Sequence, residues 1–126
     1  MNAHATERAA ITRALTEYYF AGIYEGQLPL LTQVFHPDAL LFGDVKGQPY
    51  AKTLSQYLEG VAQRISPKDS GQAYETEVLH IEVINSIAVV KVRVKMFDFN
   101  YYDLLSFHQV AGEWRIVNKM LTHVEE

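Results

Sequence analysis

The spacing of apolar residues changes from helical to alternating near residue 73, dividing the chain into two halves of different architecture. In the first half, Ile11, Ala14, Leu15, Tyr18 and Gly22 recur at helical intervals and predict one buried stripe, with Tyr19 at its edge. Thr6 is placed to cap this helix, Glu7 stands in its first turn where the helix dipole favours an acid, and Gly26 ends it. A short second helix follows, with Pro29 in its first turn and Leu30, Leu31, Val34 and Phe35 on its apolar side. His36-Pro37-Asp38 breaks it, because the residue before a proline is pushed out of helical geometry. Residues 39–43 read as a short apolar strand and residues 44–49 as a turn-rich link. A third helix is expected from about Ala51 to Ile65, its stripe formed by Leu54, Tyr57, Leu58, Val61 and Ile65, and residues 66–72 form a loop.

Beyond residue 73 the period is two. Strands of roughly 73–84, 87–98, 101–111 and 113–123 fit, with turns at Asn85-Ser86, Phe99-Asn100 and Ala111-Gly112. Leu79, Ile81 and Val83 then share a face with Ala88, Val90, Val92 and Val94, while His80, Glu82, Lys91, Arg93 and Lys95 take the other. A two-residue turn at Ala111-Gly112 sets Val110 opposite Glu113. It puts Asp103, Leu105, Phe107, Trp114, Ile116, Asn118 and Met120 on one inner face. Leu104, Ser106, His108, Val110, Arg115, Val117, Lys119 and Leu121 fall on the outer one. Three helices followed by a four-stranded meander form an α+β layout, in which long twisted strands enclose a concave space.

With 126 residues, one domain spanning 1–126 is expected, large enough to bury a core without staples. There is no cysteine, so disulfide and thiolate chemistry are excluded. The net charge of −4 and scattered basic residues argue against a nucleic-acid partner. No apolar run approaches the ~20 residues of a membrane helix, and the first ten residues lack the apolar centre of a signal peptide, so a cytoplasmic protein is expected.

Four stretches, YYFAGIYEG, FHPDALLFG, VINSIAVVKVRV and YYDLLSFHQVAGEWRIVNKM, in this order resemble the nuclear transport factor 2-like superfamily. Within it, the chain is most similar to the SnoaL-like and lumazine-binding bacterial families. The resemblance spans nearly the whole chain, and Gly112, Trp114, Ile116 and Lys119 of the closing hairpin are among the residues that carry it. It implies a cone-like (cystatin-like) fold: a curved, mostly antiparallel sheet wrapped around three N-terminal helices and a pocket, commonly dimeric through the outer sheet face. The superfamily includes isomerases, cyclases, dehydratases and binding proteins without catalysis, so fold alone does not choose among them.

Asp103 and Asn118, an acid and an amide on an otherwise apolar inner face, are the first candidates for chemistry. Asp103 reads either as a pocket general acid or base, with Tyr19 or Asn118 positioning a carbonyl, or as a structural acid bonded to a tyrosine or a backbone amide. Comparison with ketosteroid isomerase, which shares the superfamily, places Tyr19 at the tyrosine position, seven residues before Gly26. It places the catalytic base on Gly43, with Asp44 one residue late, and the second acid on Leu104, with Asp103 one residue early. In a strand such an offset reverses the facing. Tyr18, Tyr19, Phe42, Tyr57, Asp103, Phe107, Trp114 and Asn118 form the expected ligand-binding set, suited to a small apolar or aromatic molecule. The aromatic members serve equally as core packing. His36-Pro37-Asp38 offers two ligand types without a third, so no metal is expected, and without a Gly-rich phosphate loop no cofactor is expected either. Two further readings are a small lyase, isomerase or cyclase using Asp103, and a non-catalytic interaction module. The mixed outer face predicts a homodimer.

Overall fold

The structure is a computed structural model that describes residues 4–126; Met1–Ala3, part of the stretch read for a signal peptide, lie outside the described residues. The first helix begins at Ala5, one residue ahead of the expected cap Thr6, and has no side-chain cap. It runs as α1 (Ala5–Ala14), a π-helical segment (Leu15–Phe20) and α2 (Ala21–Glu25), with helical backbone angles at both junctions. Its fully buried or nearly buried residues, Ile11, Leu15, Tyr19 and Ile23, are four apart. Four residues overshoot a 3.6-residue α-helical turn, so a strict four-residue stripe drifts around the helix. The wider π turn cancels that drift. Tyr19 is therefore central to the stripe rather than at its edge, and Tyr18 is turned partly outward. Gly26, at φ 67°, ends the helix in left-handed geometry.

Helix α3 (Leu28–Val34) has proline in its first turn and leads directly into β1 (Phe35–Val45). His36-Pro37-Asp38 thus lies in the irregular start of a strand. β1 is longer than the expected 39–43, and Lys46-Gly47, both at positive φ, turns it into an antiparallel partner, β2 (Gln48–Thr53). β2 replaces the expected link and the first residues of the third helix. It is an edge strand, which accommodates Pro49. Thr53 then caps α4 (Leu54–Gln63) in a reciprocal box with Gln56. A single turn, α5 (Pro67–Ser70), is capped by Ser66.

The remaining strands are β3 (Glu75–Ile84), β4 (Ile87–Met96), β5 (Phe99–Val110) and β6 (Glu113–His123). The middle turn is at Phe97-Asp98, both at positive φ, two residues before the expected Phe99-Asn100. The sheet order is β2-β1-β6-β5-β4-β3, antiparallel except where β1 runs parallel to β6. The result is the expected cone: a curved, open, mostly antiparallel sheet whose inner face packs on the helices.

Two bulges set the inner face. In β3 the pairing slips between Val78 and His80, so Val78 and Ile81 face the same side and Leu79 leaves the alternation. In β6 it slips at Val117: Phe107 pairs with Ile116, but Ser106 pairs with Asn118. A one-residue slip exchanges faces. Trp114 and Ile116 face in as expected, but beyond the bulge Lys119 and Leu121 face in, while Asn118 and Met120 face out. This corrects the expected inner face at four positions.

A buried tyrosine, aspartate and lysine at the end of the cone

Three elements bring three polar side chains together. The π segment presents Tyr19, β5 presents Asp103, and β6, through its bulge, presents Lys119; they are 0%, 2% and 5% exposed. The Tyr19 hydroxyl donates to Asp103 Oδ2 at 2.6 Å, and Lys119 Nζ lies 3.9 Å from the same oxygen. Oδ1 of Asp103 is buried without a partner in the protein. The ammonium also sits over the rings of Tyr57, at 4.8 Å, and Tyr19, at 5.2 Å, within cation–π range.

This geometry divides the charges unevenly. Burial raises the Asp103 carboxyl above its ordinary range, and the Lys119 ammonium and Tyr19 hydroxyl pull it back only in part. Burial also opposes the Lys119 ammonium, but Tyr57, Asp103 and Tyr50 outweigh it, so Lys119 holds its proton above its ordinary range. The two partners of one ion pair therefore shift in different senses with respect to charge. The lysine is wrapped by aromatic faces as well as the acid, whereas the acid has one hydroxyl, a cation at the limit of contact, and a bare oxygen. Burial, followed by the Asp103 charge, raises the Tyr19 phenol well above its ordinary range, so it acts as a donor and not as a base.

A cavity of about 50 Å³ opens beside the cluster, lined by Ile23, Tyr57, Arg64, Val94, Met96, Tyr101, Asp103, Lys119 and Leu121. It has room for a carboxylate or a few waters, far below the ~300 Å³ of a small drug-sized pocket. Among the described residues, this interior cavity is small and mixed, with Tyr57, Tyr101 and four apolar side chains beside its three charged ones, and is narrower than the expected apolar, aromatic-lined cone. A larger hollow of about 410 Å³ lies outside it, between Leu28, Phe35 and Leu58, and is lined by no residue of the polar cluster.

Of the expected ligand-binding residues, Tyr19, Tyr57 and Asp103 converge here. Phe107 is 1% exposed and belongs to the core. Tyr18 and Trp114 line a separate groove of about 150 Å³ with Ala10 and Gln33. Phe42 faces out, 46% exposed, because inward positions on β1 are Ala39 and Leu41. Asn118 faces out because of the Val117 bulge, so neither it nor Phe42 lines the cavity. Asp103 faces in, as the hairpin register predicts, although it stands one residue before the position of the isomerase's second acid. Asp44 faces out and accepts from the Thr122 hydroxyl at 2.6 Å. Gly43, at the position of the isomerase base, admits no side chain: a Cβ there would lie 1.8 Å from the Leu121 carbonyl oxygen, at φ 153°. His36 Nδ1 accepts from the Asp38 amide, a local turn bond. Among the described residues no three His, Asp or Glu side chains cluster as metal ligands, and no helix is long and apolar enough to cross a membrane.

Sequence reasoning missed Lys119 and Arg64 at this site. A shift in the parity of the apolar residues, from Trp114 and Ile116 to Leu121, marks the bulge, but Met120 beside Leu121 supplies the original parity as well. Arg64, at the end of α4, has no sequence signal of its role.

The profile of the family described as "Putative lumazine-binding" matches residues 6–122. No curated protein matches. Among solved structures, an NTF2-like protein of unknown function from Shewanella baltica OS155 superposes with a TM-score of 0.85 at 17% identity, covering 100% of both chains. One from Methylobacillus flagellatus KT gives 0.86 at 20% identity, covering 98% of this chain and 97% of the other. One from Silicibacter pomeroyi DSS-3 gives 0.84 at 22% identity, covering 95% and 98%.

Proposed function

The chain belongs to the Putative lumazine-binding family, of nuclear transport factor 2-like fold, and on that premise we propose that it binds a small molecule at the polar end of its cone. The observation that carries this reading is the Asp103 carboxylate. It is buried beside a cavity, bonded through one oxygen to Tyr19 and near Lys119, with its other oxygen unmatched by the protein. Buried polar atoms are usually matched, and a polar ligand group at Oδ1 completes the set, accepting from the carboxyl when it holds its proton and donating to it when it does not. The ligand's polar end enters the cavity, and its apolar remainder meets Met96 and the half-buried Tyr101. A thermal-shift screen of planar heterocycles, steroids and fatty acids tests this. A binder at a hundredfold excess over its Kd stabilises by about 2.7 kcal/mol and shifts the backbone amide signals of Tyr57, Tyr101 and Lys119. If no compound raises the melting temperature or moves those signals, the proposal falls.

A second reading, catalysis by proton transfer, is supported by the raised carboxyl of Asp103 with its free Oδ1. The Tyr19 hydrogen is already committed to Asp103, so Lys119 and the unpartnered Nε and Nη2 of Arg64 are the donors left to a substrate carbonyl. General acid–base catalysis contributes roughly 10²–10⁴-fold. Turnover of a bound compound should drop by about that factor in Asp103→Asn while binding persists, and unchanged turnover would exclude the role.

A third proposal concerns assembly: two copies pair through the outer sheet face, where Phe42, Met120 and Leu104 form an exposed apolar row.

A further inference from the structure

Resting on the proposed binding role of the same cavity, we propose that its ligand is an organic anion, with a carboxylate gripped by the guanidinium of Arg64 beside the Lys119 ammonium. Arg64 lines the cavity at the end of α4, and its Nε and Nη2 atoms are buried without a partner in the protein. These two atoms carry the parallel N–H bonds of one guanidinium edge. That edge matches the two oxygens of a carboxylate and forms two charge-assisted hydrogen bonds with it. Among the described residues, no carboxylate forms an ion pair with Arg64, whereas Arg93, Lys95 and Arg115 all have glutamate partners.

The charge balance agrees. The cavity is lined by two cations, Arg64 and Lys119, and one acid, Asp103. Tyr57 and Tyr101, on the same wall, contribute hydroxyls rather than a second acid. A buried cation in such surroundings selects an anion, because an uncharged ligand leaves the charge uncompensated. Size narrows the class further. About 50 Å³ holds a flat carboxylate and little beyond it, so the body of the ligand lies past the rim, along Met96 and Tyr101.

The test compares acids with their isosteric amides. Acetate and benzoate, against acetamide and benzamide, are titrated into the full chain in low-chloride buffer, with the amide signals of Arg64, Tyr101 and Lys119 followed by NMR. Both acids should bind saturably at these residues, at least tenfold more tightly than the amides. Arg64→Met should weaken benzoate binding tenfold or more, and Arg64→Lys, which keeps the charge but loses the fork, should weaken it less. Amides that bind as well as acids, or benzoate binding indifferent to Arg64→Met, overturn the anion assignment while leaving the binding reading standing. Acids that stay out while a neutral compound from the thermal-shift screen enters overturn it in the same way. If neither the acids nor any screened compound enters, both readings fail. Should Arg64→Met not fold, the acid–amide ratio and Arg64→Lys decide the matter.

Discussion

Lys119 and Asp103 depend on each other more than their 3.9 Å separation implies. Removing one member of a buried ion pair leaves the other charge uncompensated, which typically costs about 3–5 kcal/mol. Lys119→Met should therefore destabilise the protein by about that amount at neutral pH, measured by urea denaturation, and the double variant Lys119→Met/Asp103→Leu should recover most of the loss. A double variant as unstable as the sum of its parts would show that the two charges do not interact. The acid also sets a pH dependence with a definite sign. Its carboxyl is raised in the fold above an ordinary value of 3.8, so between 3.8 and the raised value the folded state binds more protons than the unfolded state. Stability is then lost as pH rises through the folded value. Asp103→Asn removes this titration, so the variant should gain stability relative to the parent as pH rises from about 4, in urea melts at stepped pH. A difference that does not vary with pH would contradict the raised carboxyl. At this scale the sequence pointed to Asp103 and Tyr19, because an acid among apolar alternation and a tyrosine on a helical stripe are both local signals. It did not reveal their cation: Lys119 reaches them through a single unpaired residue, Val117, which carries no turn-forming signature.

The elements show why some of the geometry was legible and some was not. Period and punctuation identified the first helix, the β3–β4 hairpin and the closing hairpin, where Asn85, Ala111 and Gly112 take positive φ. β2 escaped because Pro49 and Lys46-Gly47 read as a link, and its strand character comes from pairing with β1 rather than from its own composition. The π segment escaped because four-residue spacing differs little from α-helical spacing over one turn. Gly43 is the clearest case of a residue whose meaning lies in its neighbour strand. Its positive φ and the approach of the Leu121 carbonyl bring β1 against β6, two residues along from the pairing of Leu41 with Lys119. Gly43→Ala should cost on the order of 3 kcal/mol or more, as strain plus a backbone clash. Gly47→Ala, at φ 82° with no atom nearby, should cost only about 1 kcal/mol. Chemical denaturation of the two variants side by side checks the contrast, and equal losses would mean that β1 shifts away from β6 without penalty.

On the whole molecule, the register aligns side chains into rows that cross the outer face. One row runs from Phe42 on β1 through Met120 on β6 and Leu104 on β5 to Lys91 on β4 and His80 on β3. A second runs from Leu40 through Asn118 and Ser106 to Val89 and Glu82. The apolar end is substantial: Phe42, Met120 and Leu104 are 46%, 50% and 42% exposed, with Leu40 beside them at 44%. The Val117 bulge serves both faces, since the slip that carries Lys119 inward also turns Met120 outward between Phe42 and Leu104. A contiguous apolar strip bordered by charge is the kind of surface that pairs with a copy of itself about a two-fold axis, because each copy offers the same strip and the same border. The protein is accordingly expected to sediment at twice 14.4 kDa at micromolar concentration. Leu104→Glu with Met120→Glu puts four like charges into such an interface and should yield monomers by analytical ultracentrifugation, with the far-UV spectrum unchanged because both side chains lie outside the core. A parent protein that is monomeric at these concentrations would refute self-association through this face.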